Sequence, residues 1–224
     1  MGDGLYLRQL PLGPMDNFVY LLGAEGAKET AIIDPAWDVD AALEVARRDG
    51  RTVTHAFVSH HHRDHCNGLL PLLDRADARI YAGAADLQWL PDDARAEVTA
   101  LSAGEVVEVG PLRVRAVHTP GHTPGSTCFH LDGGPATGAG ALFAGDTVFD
   151  NACGRCDLPG GDAELMFESL KRISQLDDEV RLYPGHDYGD LKVSSIGRER
   201  EKNPYFGLLG SLEAFVNYRM RPRG

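Results

Sequence analysis

An α/β fold is predicted for this chain from three observations. Short β-prone runs alternate with two amphipathic helical stretches, and a β-α-β unit fills the first third. Four runs also end at a His or Asp beside Gly or Pro, and the carboxyl ends of strands are the usual address for a site in α/β folds. With 224 residues, 43% of them hydrophobic, the chain can bury a sizeable core unaided.

Taken in order, residues 5–10, 18–22 and 30–33 read as strands separated by Gly- and Pro-containing turns. Residues 38–48 read as a helix, with Val39, Ala42, Leu43 and Ala46 at helical spacing, Asp38 as cap and Gly50 as stop. Residues 53–59 return to strand and run into a His-rich stretch. A short helix at 69–73 and a strand at 79–82 follow. The middle turns β-rich, with 106–109 and 112–117 flanking Gly110-Pro111, and 127–131 and 141–144 flanking a Gly-rich surface loop, 132–140. Residues 162–173 form the second amphipathic helix, with Leu165, Met166, Ser169, Leu170 and Ile173 on one stripe. A last strand at 180–183 precedes a segment, 193–218, that reads as helical with a break at Asn203-Pro204. The expected organisation is one domain over residues 1–190, with 191–224 as a short helical tail packed on it.

The charge balance narrows the function. With 22 Lys+Arg, 33 Asp+Glu and a net charge of −11, broad docking on nucleic acid or anionic lipid is not expected. Four Cys do not make a disulfide framework at this length, and the single C-x-x-C, Cys153 and Cys156, is read as coincidence. The N-terminal residues carry an early acid and no long apolar core, so no signal peptide is expected. Nor does any stretch reach the roughly eighteen apolar residues of a membrane span. A cytoplasmic, reducing location is the expectation.

The chemistry concentrates in four motifs: Ser59-His60-His61-His62-Arg63-Asp64-His65, Thr119-Pro120-Gly121-His122-Thr123, Ala144-Gly145-Asp146-Thr147 and Tyr183-Pro184-Gly185-His186. Gly and Pro allow sharp turns that bring side chains from separate strands to one spot. Five His and two Asp then form a mixed nitrogen and oxygen donor set of the kind zinc, ferrous iron or manganese takes. If the chain stays extended past Ser59, His60, His62 and Asp64 face one side, while His61 points away and His65 suits an adjacent second ion. His55, His118 and His130 are read as polar residues on turns, and His61 as a neighbour of the site. Asp34 is read as structural, fixing the His60 loop.

H-x-H-x-D-H followed by P-G-H-T, G-D and P-G-H resembles the metallo-β-lactamase superfamily over about residues 5–190, which implies an αββα sandwich with metals at the sheet edges. Asp16-Asn17-Phe18, Ile33-Asp34-Pro35 and Tyr183-Pro184-Gly185-His186-Asp187-Tyr188 are similar to the glyoxalase II group, the hydroxyacylglutathione hydrolases. The stretches at 154–162 and 196–204 resemble its short bacterial form. The resemblance implies that His60, His62 and His122 hold one metal and that Asp64, His65 and His186 hold the other, with Asp146 bridging. The implied cofactor is two divalent cations, zinc first, with iron or manganese as alternatives. Two such ions about 3.5–4 Å apart lower the pKa of a shared water, and the hydroxide attacks a thioester carbonyl. Asp64 is then both a ligand and the group placed to orient that hydroxide.

The expected substrate is S-D-lactoylglutathione or a related acyl-glutathione. Arg155 falls where the resemblance puts a basic substrate contact, with Lys192, Arg198 and Lys202 as further basic candidates. Only 38 residues follow His186, fewer than the helical region that grips glutathione in the long form. The main alternative is a mononuclear Fe(II) persulfide dioxygenase acting on glutathione persulfide with His60, His122 and Asp146 alone. A non-catalytic metal-binding or partner-binding module is disfavoured because all seven ligands remain. The oligomeric state is not readable from the sequence.

Overall fold

The computed structural model describes residues 4–221. The first three residues of the segment expected to lack a signal peptide, and the last three of the expected tail, lie outside that range. The first half contains β1 (Leu5–Leu12), β2 (Asn17–Ala24), β3 (Glu29–Ile33), α1 (Val39–Arg48), β4 (Thr52–Val58), α2 (Arg63–Cys66), α3 (Leu69–Arg75), β5 (Arg79–Gly83), α4 (Asp92–Arg95) and β6 (Val98–Leu101). The second half contains β7 (Val106–Val109), β8 (Leu112–His118), β9 (Thr127–Leu131), β10 (Ala141–Gly145), β11 (Val148–Phe149), β12 (Ala152–Cys153), α5 (Ala163–Ile173), β13 (Arg181–Pro184), β14 (Ser194–Ser195), α6 (Ile196–Lys202) and α7 (Leu212–Arg219).

Two six-stranded sheets result, ordered β1-β2-β3-β4-β5-β6 and β14-β13-β10-β9-β8-β7. The first is antiparallel from β1 to β3 and parallel from β3 to β6. In the second, β13 and β10, second and third in that order, run parallel in an otherwise antiparallel sheet.

Strand β2 shows why the layers stack as they do. All eight of its residues are buried, so it has no solvent face. Phe18, Tyr20 and Leu22 point into the core between the sheets, where they meet Phe57, Phe129, Phe143 and Tyr183. Val19 and Leu21 point the other way, into a core shared with Ala42 and Ala46 of α1 and with Leu69 and Leu72 of α3. A third core packs Leu142 and Leu182 of the second sheet against Met166 and Leu170 of α5, Ile196 of α6 and Phe215 of α7. The architecture is therefore αββα, as expected. Each fully buried large apolar side chain contributes about 1.5–3 kcal/mol.

Caps fix where the main helices begin. Asp38 accepts from Ala41 N at the start of α1, and Asp162 accepts from Glu164 N and Leu165 N at the start of α5. The α5 stripe needs a correction. Leu165 is 44% exposed, and the buried face is Ala163, Met166, Phe167, Ser169, Leu170 and Ile173. Leu165 sits one residue before Met166, about 100° round the helix, which carries it off the buried face. The C-terminal segment also differs, because Val193 precedes a short strand and the first helical turn is capped by Ser195. The helix does end before Asn203-Pro204. His55 and His130 lie inside β4 and β9 and His118 ends β8, rather than sitting on turns. Their ring nitrogens lie against Arg79, Asp132 and the Pro124 carbonyl. Strand β6, the helical turn α4 and the β11–β12 hairpin had no clear signal in the sequence.

Candidate metal centre

The four motifs meet at one edge of the sandwich, each at the carboxyl end of a strand. His60 follows β4, His122 follows β8, Asp146 follows β10 and His186 follows β13. Backbone hydrogen bonds tie these ends together: Thr127 N donates to Ser59 O at 2.9 Å, Gly185 N to Gly145 O at 2.8 Å and Phe18 N to Gly185 O at 2.8 Å. Glycine is required at two of these turns. A Cβ on Gly121, at φ 139°, would stand 2.5 Å from the Met166 backbone. One on Gly185 would stand 2.5 Å from Asp146 Oδ1 and 2.9 Å from His65 Cε1.

The chain does not stay extended through the first motif. His62 is extended with ψ 141°, but Arg63–Cys66 is a helical turn. Asp64 and His65 are thus delivered by helical rotation rather than by strand alternation. His61 points away from the cluster and stacks on Trp89, with ring centroids 5.4 Å apart, while its Nδ1 lies 3.1 Å from Asp86.

The seven predicted donors converge in three overlapping groups: His60 with His62 and His122, His60 with His65 and Asp146, and Asp64 with His65 and His186. Within each group the donor atoms lie within 4.8 Å of one another. Asp146 stands between the two ends, with Oδ2 3.4 Å from His122 Nε2 and Oδ1 3.3 Å from His65 Nε2 and 3.4 Å from His186 Nε2. Asp64 Oδ2 lies 3.3 Å from His186 Nε2 and 3.5 Å from His65 Nε2.

Four of the imidazoles have their far nitrogen held. His60 Nδ1 lies 3.0 Å from Ser59 Oγ and His65 Nδ1 2.9 Å from Asp34 Oδ2. His122 Nδ1 lies 2.8 Å from Arg155 O and His186 Nδ1 2.8 Å from Met15 O. Carbonyl and carboxylate oxygens only accept, so Nδ1 carries a hydrogen in His65, His122 and His186, and Nε2 is the atom of each that faces the cluster. Asp34 therefore anchors His65 as well as the His60 loop, since it also accepts from Ser59 N and Ser59 Oγ.

These donors fit divalent cations. Within the protein, His60 Nε2, His122 Nε2 and Asp146 Oδ1 are buried without a hydrogen-bond partner, an arrangement that costs free energy unless something else satisfies them. His65 Nε2 and His186 Nε2 also face each other at 3.0 Å. Without a cation the cluster must hold protons instead. Burial opposes charge on His186, but the Asp146 and Asp64 carboxylates beside its Nε2 outweigh it and push the imidazole up to about 10. Burial and the adjacent imidazoles hold His60 well below its ordinary value and bring His62 down to about 4. Burial raises the Asp146 carboxyl, but the charges of His65 and His186 prevail and hold it at about 2.

A cavity of about 670 Å³ opens over the cluster. Besides the donors, its walls include Phe149, Leu158, Tyr188, Tyr205, Arg155 and Arg219. Arg155, the expected substrate contact, lines the cavity and forms a bidentate pair with Asp157 at 2.9 and 2.8 Å. Arg198 pairs with the buried Asp150, and Lys192 lies 3.4 Å from Asp187. Neither they nor Lys202 lines the cavity.

Three contributors gave no signal as site residues. Asp86, 1% exposed, accepts from His61 N, Thr123 Oγ1 and Gly125 N and so clamps the first motif to the second. Tyr205 and Arg219 come from the C-terminal segment, where a charged or aromatic residue reads as surface. Asn17 was legible only through its three-residue motif; its Nδ2 donates to Asp64 Oδ2 at 3.1 Å and its Oδ1 accepts from Trp37 Nε1 at 2.8 Å.

Comparison with known proteins agrees with this geometry. Residues 12–186 match the metallo-beta-lactamase superfamily. A protein of Bacillus velezensis named as a probable polyketide biosynthesis zinc-dependent hydrolase is 32% identical over 206 residues, which cover 92% of this chain and 88% of that one. The hydroxyacylglutathione hydrolase of Gloeobacter violaceus is 35% identical over 182 residues, covering 80% and 68% respectively. Among solved structures, ETHE1 from Myxococcus xanthus superposes with a TM-score of 0.84 at 31% identity, covering 97% of this chain and 92% of that chain. Among the described residues no helix is long and apolar enough to cross a membrane.

Proposed function

The chain belongs to the metallo-β-lactamase superfamily, and from that premise we propose that it is a metal-dependent thioester hydrolase of the glyoxalase II type. The observation that carries this reading is the pair of donor sets, His60/His62/His122 and Asp64/His65/His186, with Asp146 between them. Under it, the first set would hold one divalent cation and the second another, with Asp146 placed to serve both. Bound there, the ions would supply a water of lowered pKa and a Lewis acid for the carbonyl oxygen, which is the chemistry thioester hydrolysis needs.

The protein's own residues do the rest. Met15 O, Arg155 O and Asp34 fix the ring orientations of His186, His122 and His65, with Nε2 aimed at the cluster in each. Asn17 donates to one carboxylate oxygen of Asp64, holding the carboxylate in a single orientation towards the cluster. With two divalent ions bound, Asp64 and Asp146 would offset part of their charge and leave an electropositive pocket inside an acidic protein. An anionic thioester can enter such a pocket despite the net charge of −11. Phe149, Leu158 and Tyr188 give the acyl and thiol portions an apolar wall, and Arg155 lies beside it as a substrate contact. The similarity to a hydroxyacylglutathione hydrolase supports acyl-glutathione as the substrate class, with S-D-lactoylglutathione as the first candidate.

The test pairs metal analysis of aerobically and anaerobically purified protein with two assays. Two metals per chain and hydrolysis of S-D-lactoylglutathione are expected. A single iron with oxygen uptake on glutathione persulfide would replace the hydrolase reading with the dioxygenase one.

A further inference from the structure

The cavity wall contains a charge that the metal centre does not use. Arg219, the last residue of α7, is 6% exposed. Its Nε donates to Gly154 O at 2.9 Å and its Nη1 to Tyr205 Oη at 3.1 Å. No carboxylate among the described residues pairs with it, and Nη2 has no hydrogen-bond acceptor among their oxygen atoms. Cys153 and Cys156 also act on it electrostatically. Burial pushes the Cys156 thiol up to about 11, so that group is neutral at pH 7.

A guanidinium cannot shed its proton, so burying one without a counter-charge is costly. Arg155 presents the opposite case. It is solvated, and Asp157 already neutralises it through two parallel hydrogen bonds. Arg63, the third arginine on the cavity, is exposed, and water can hydrate it. Of the three, Arg219 alone is both buried and without a balancing carboxylate.

Resting on the thioester hydrolase reading, we infer that Arg219 is the specificity-determining anchor of the substrate's thiol half. With Tyr205 beside it, Arg219 forms a subsite for an anionic group, a carboxylate or a phosphate, at the C-terminal wall of the cavity. The scissile thioester then lies over the His/Asp cluster while the anion supplies the partner that no carboxylate of the described residues provides. Arg155 takes a supporting position on the same wall. The C-terminal helix thus acts in substrate selection as well as in packing, since Phe215 of the same helix is fully buried against α5.

The test uses the metal-loaded enzyme and two thioesters with one acyl group, S-lactoylglutathione and S-lactoyl-N-acetylcysteamine, which carries no charge. Arg219→Gln is expected to raise KM for the glutathione ester about 10- to 100-fold, the range for losing hydrogen bonds to a charged group, with kcat little changed. The neutral ester should keep its kcat/KM, and Arg219→Lys should recover part of the loss. An equal loss on both esters would mean a purely structural role, and no change on either would mean no role; both overturn the inference. Calorimetric titration with S-methylglutathione and with 4′-phosphopantetheine reads binding apart from turnover. The probe that binds the native enzyme and loses affinity in Arg219→Gln identifies the anion as carboxylate or phosphate. If wild type hydrolyses neither ester, the thioester reading fails, and the titrations still decide the subsite. Equal binding of both probes to wild type and variant, or binding of neither, would dismiss it.

Discussion

Asp34→Asn separates the two halves of the metal centre. Asp34 is 3% exposed and its backbone is left-handed, with φ 52°. Asn tolerates that conformation, so the substitution adds little backbone strain. In the native protein Oδ1 accepts from Ser59 N at 2.6 Å, while Oδ2 lies 2.7 Å from Ser59 Oγ and 2.9 Å from His65 Nδ1. With Asn, the amide oxygen keeps the Ser59 N bond and the NH2 group takes the Oδ2 position. Ser59 Oγ can rotate to accept from it and, having two lone pairs, can still accept from His60 Nδ1. His65 has no such freedom. Its Nδ1 must become an acceptor, which places the hydrogen on Nε2, the atom aimed at Asp64, Asp146 and His186.

Three charge-assisted hydrogen bonds become neutral ones, a cost of about 1–3 kcal/mol in stability. For a chain of this size that lowers Tm by about 2–4 °C per kcal/mol. Metal affinity of the Asp64/His65/His186 set should drop about 10- to 100-fold while the His60/His62/His122 set holds. Metal content after dialysis against graded chelator measures both affinities, with a thermal melt as the folding control. Two metals retained at native affinity would refute the tautomer argument, and loss of both metals together would refute its selectivity.

Four further outcomes are expected. His186→Ala should lose the second metal and at least about 100-fold of thioester hydrolysis, because a direct ligand matters more than the groups that orient it; intact hydrolysis would exclude the two-ion mechanism. Gly185→Ala should reduce activity about tenfold or more and cost about 1–3 kcal/mol, since its Cβ forces Asp146 and His65 aside; activity and urea unfolding check this. Asp86→Ala strands three donors on two loops, and a urea-unfolding loss of about 3–5 kcal/mol is expected. For the metal-free protein, stability should peak near pH 6.5. His186, raised to about 10, contributes fully below 6.5 and loses its contribution as pH rises to 10; His62, lowered to about 4, contributes above 6.5 and loses it as pH falls to 4. Metal binding should release at least one proton at pH 7 and remove the alkaline decline. Melts across pH with and without zinc decide this, and an apoprotein Tm that climbs through pH 9 would contradict it.

The donor residues were legible because the signals for turning and for ligation sit next to each other. Pro184-Gly185-His186 states locally that a strand stops and what it delivers, and Thr119-Pro120-Gly121-His122 does the same. The layer order was less legible. Strand β6 has only four residues, two of them exposed, and it exists because β5 offers a parallel edge. Such pairing is set by distant residues rather than by local propensity. The first motif shows a different ambiguity. In H-x-H-x-D-H, His60, His62 and Asp64 share a face if the chain is extended, but the Arg63–Cys66 turn delivers Asp64 and His65 just as well. Spacing alone cannot choose between a period of 2 and one of 3.6 over so few residues.

Orientation is the part that sequence could not carry. The groups that hold His122 and His186 are backbone carbonyls of Arg155 and Met15, 33 and 171 residues away, and any residue type would supply the same oxygen. No composition or motif can mark such a partner. Arg219 follows the same logic from the other direction. In sequence it is one of several basic residues near the C-terminus, and a solvated helix face is the ordinary reading. Only the packing of Phe215 under α5, which seats α7 against the Gly154 turn, turns that residue inward onto the cavity wall. Which atoms do the chemistry was therefore written in local motifs. Which tautomer they hold, and which charge waits for the substrate, was decided by contacts made only once the chain had folded.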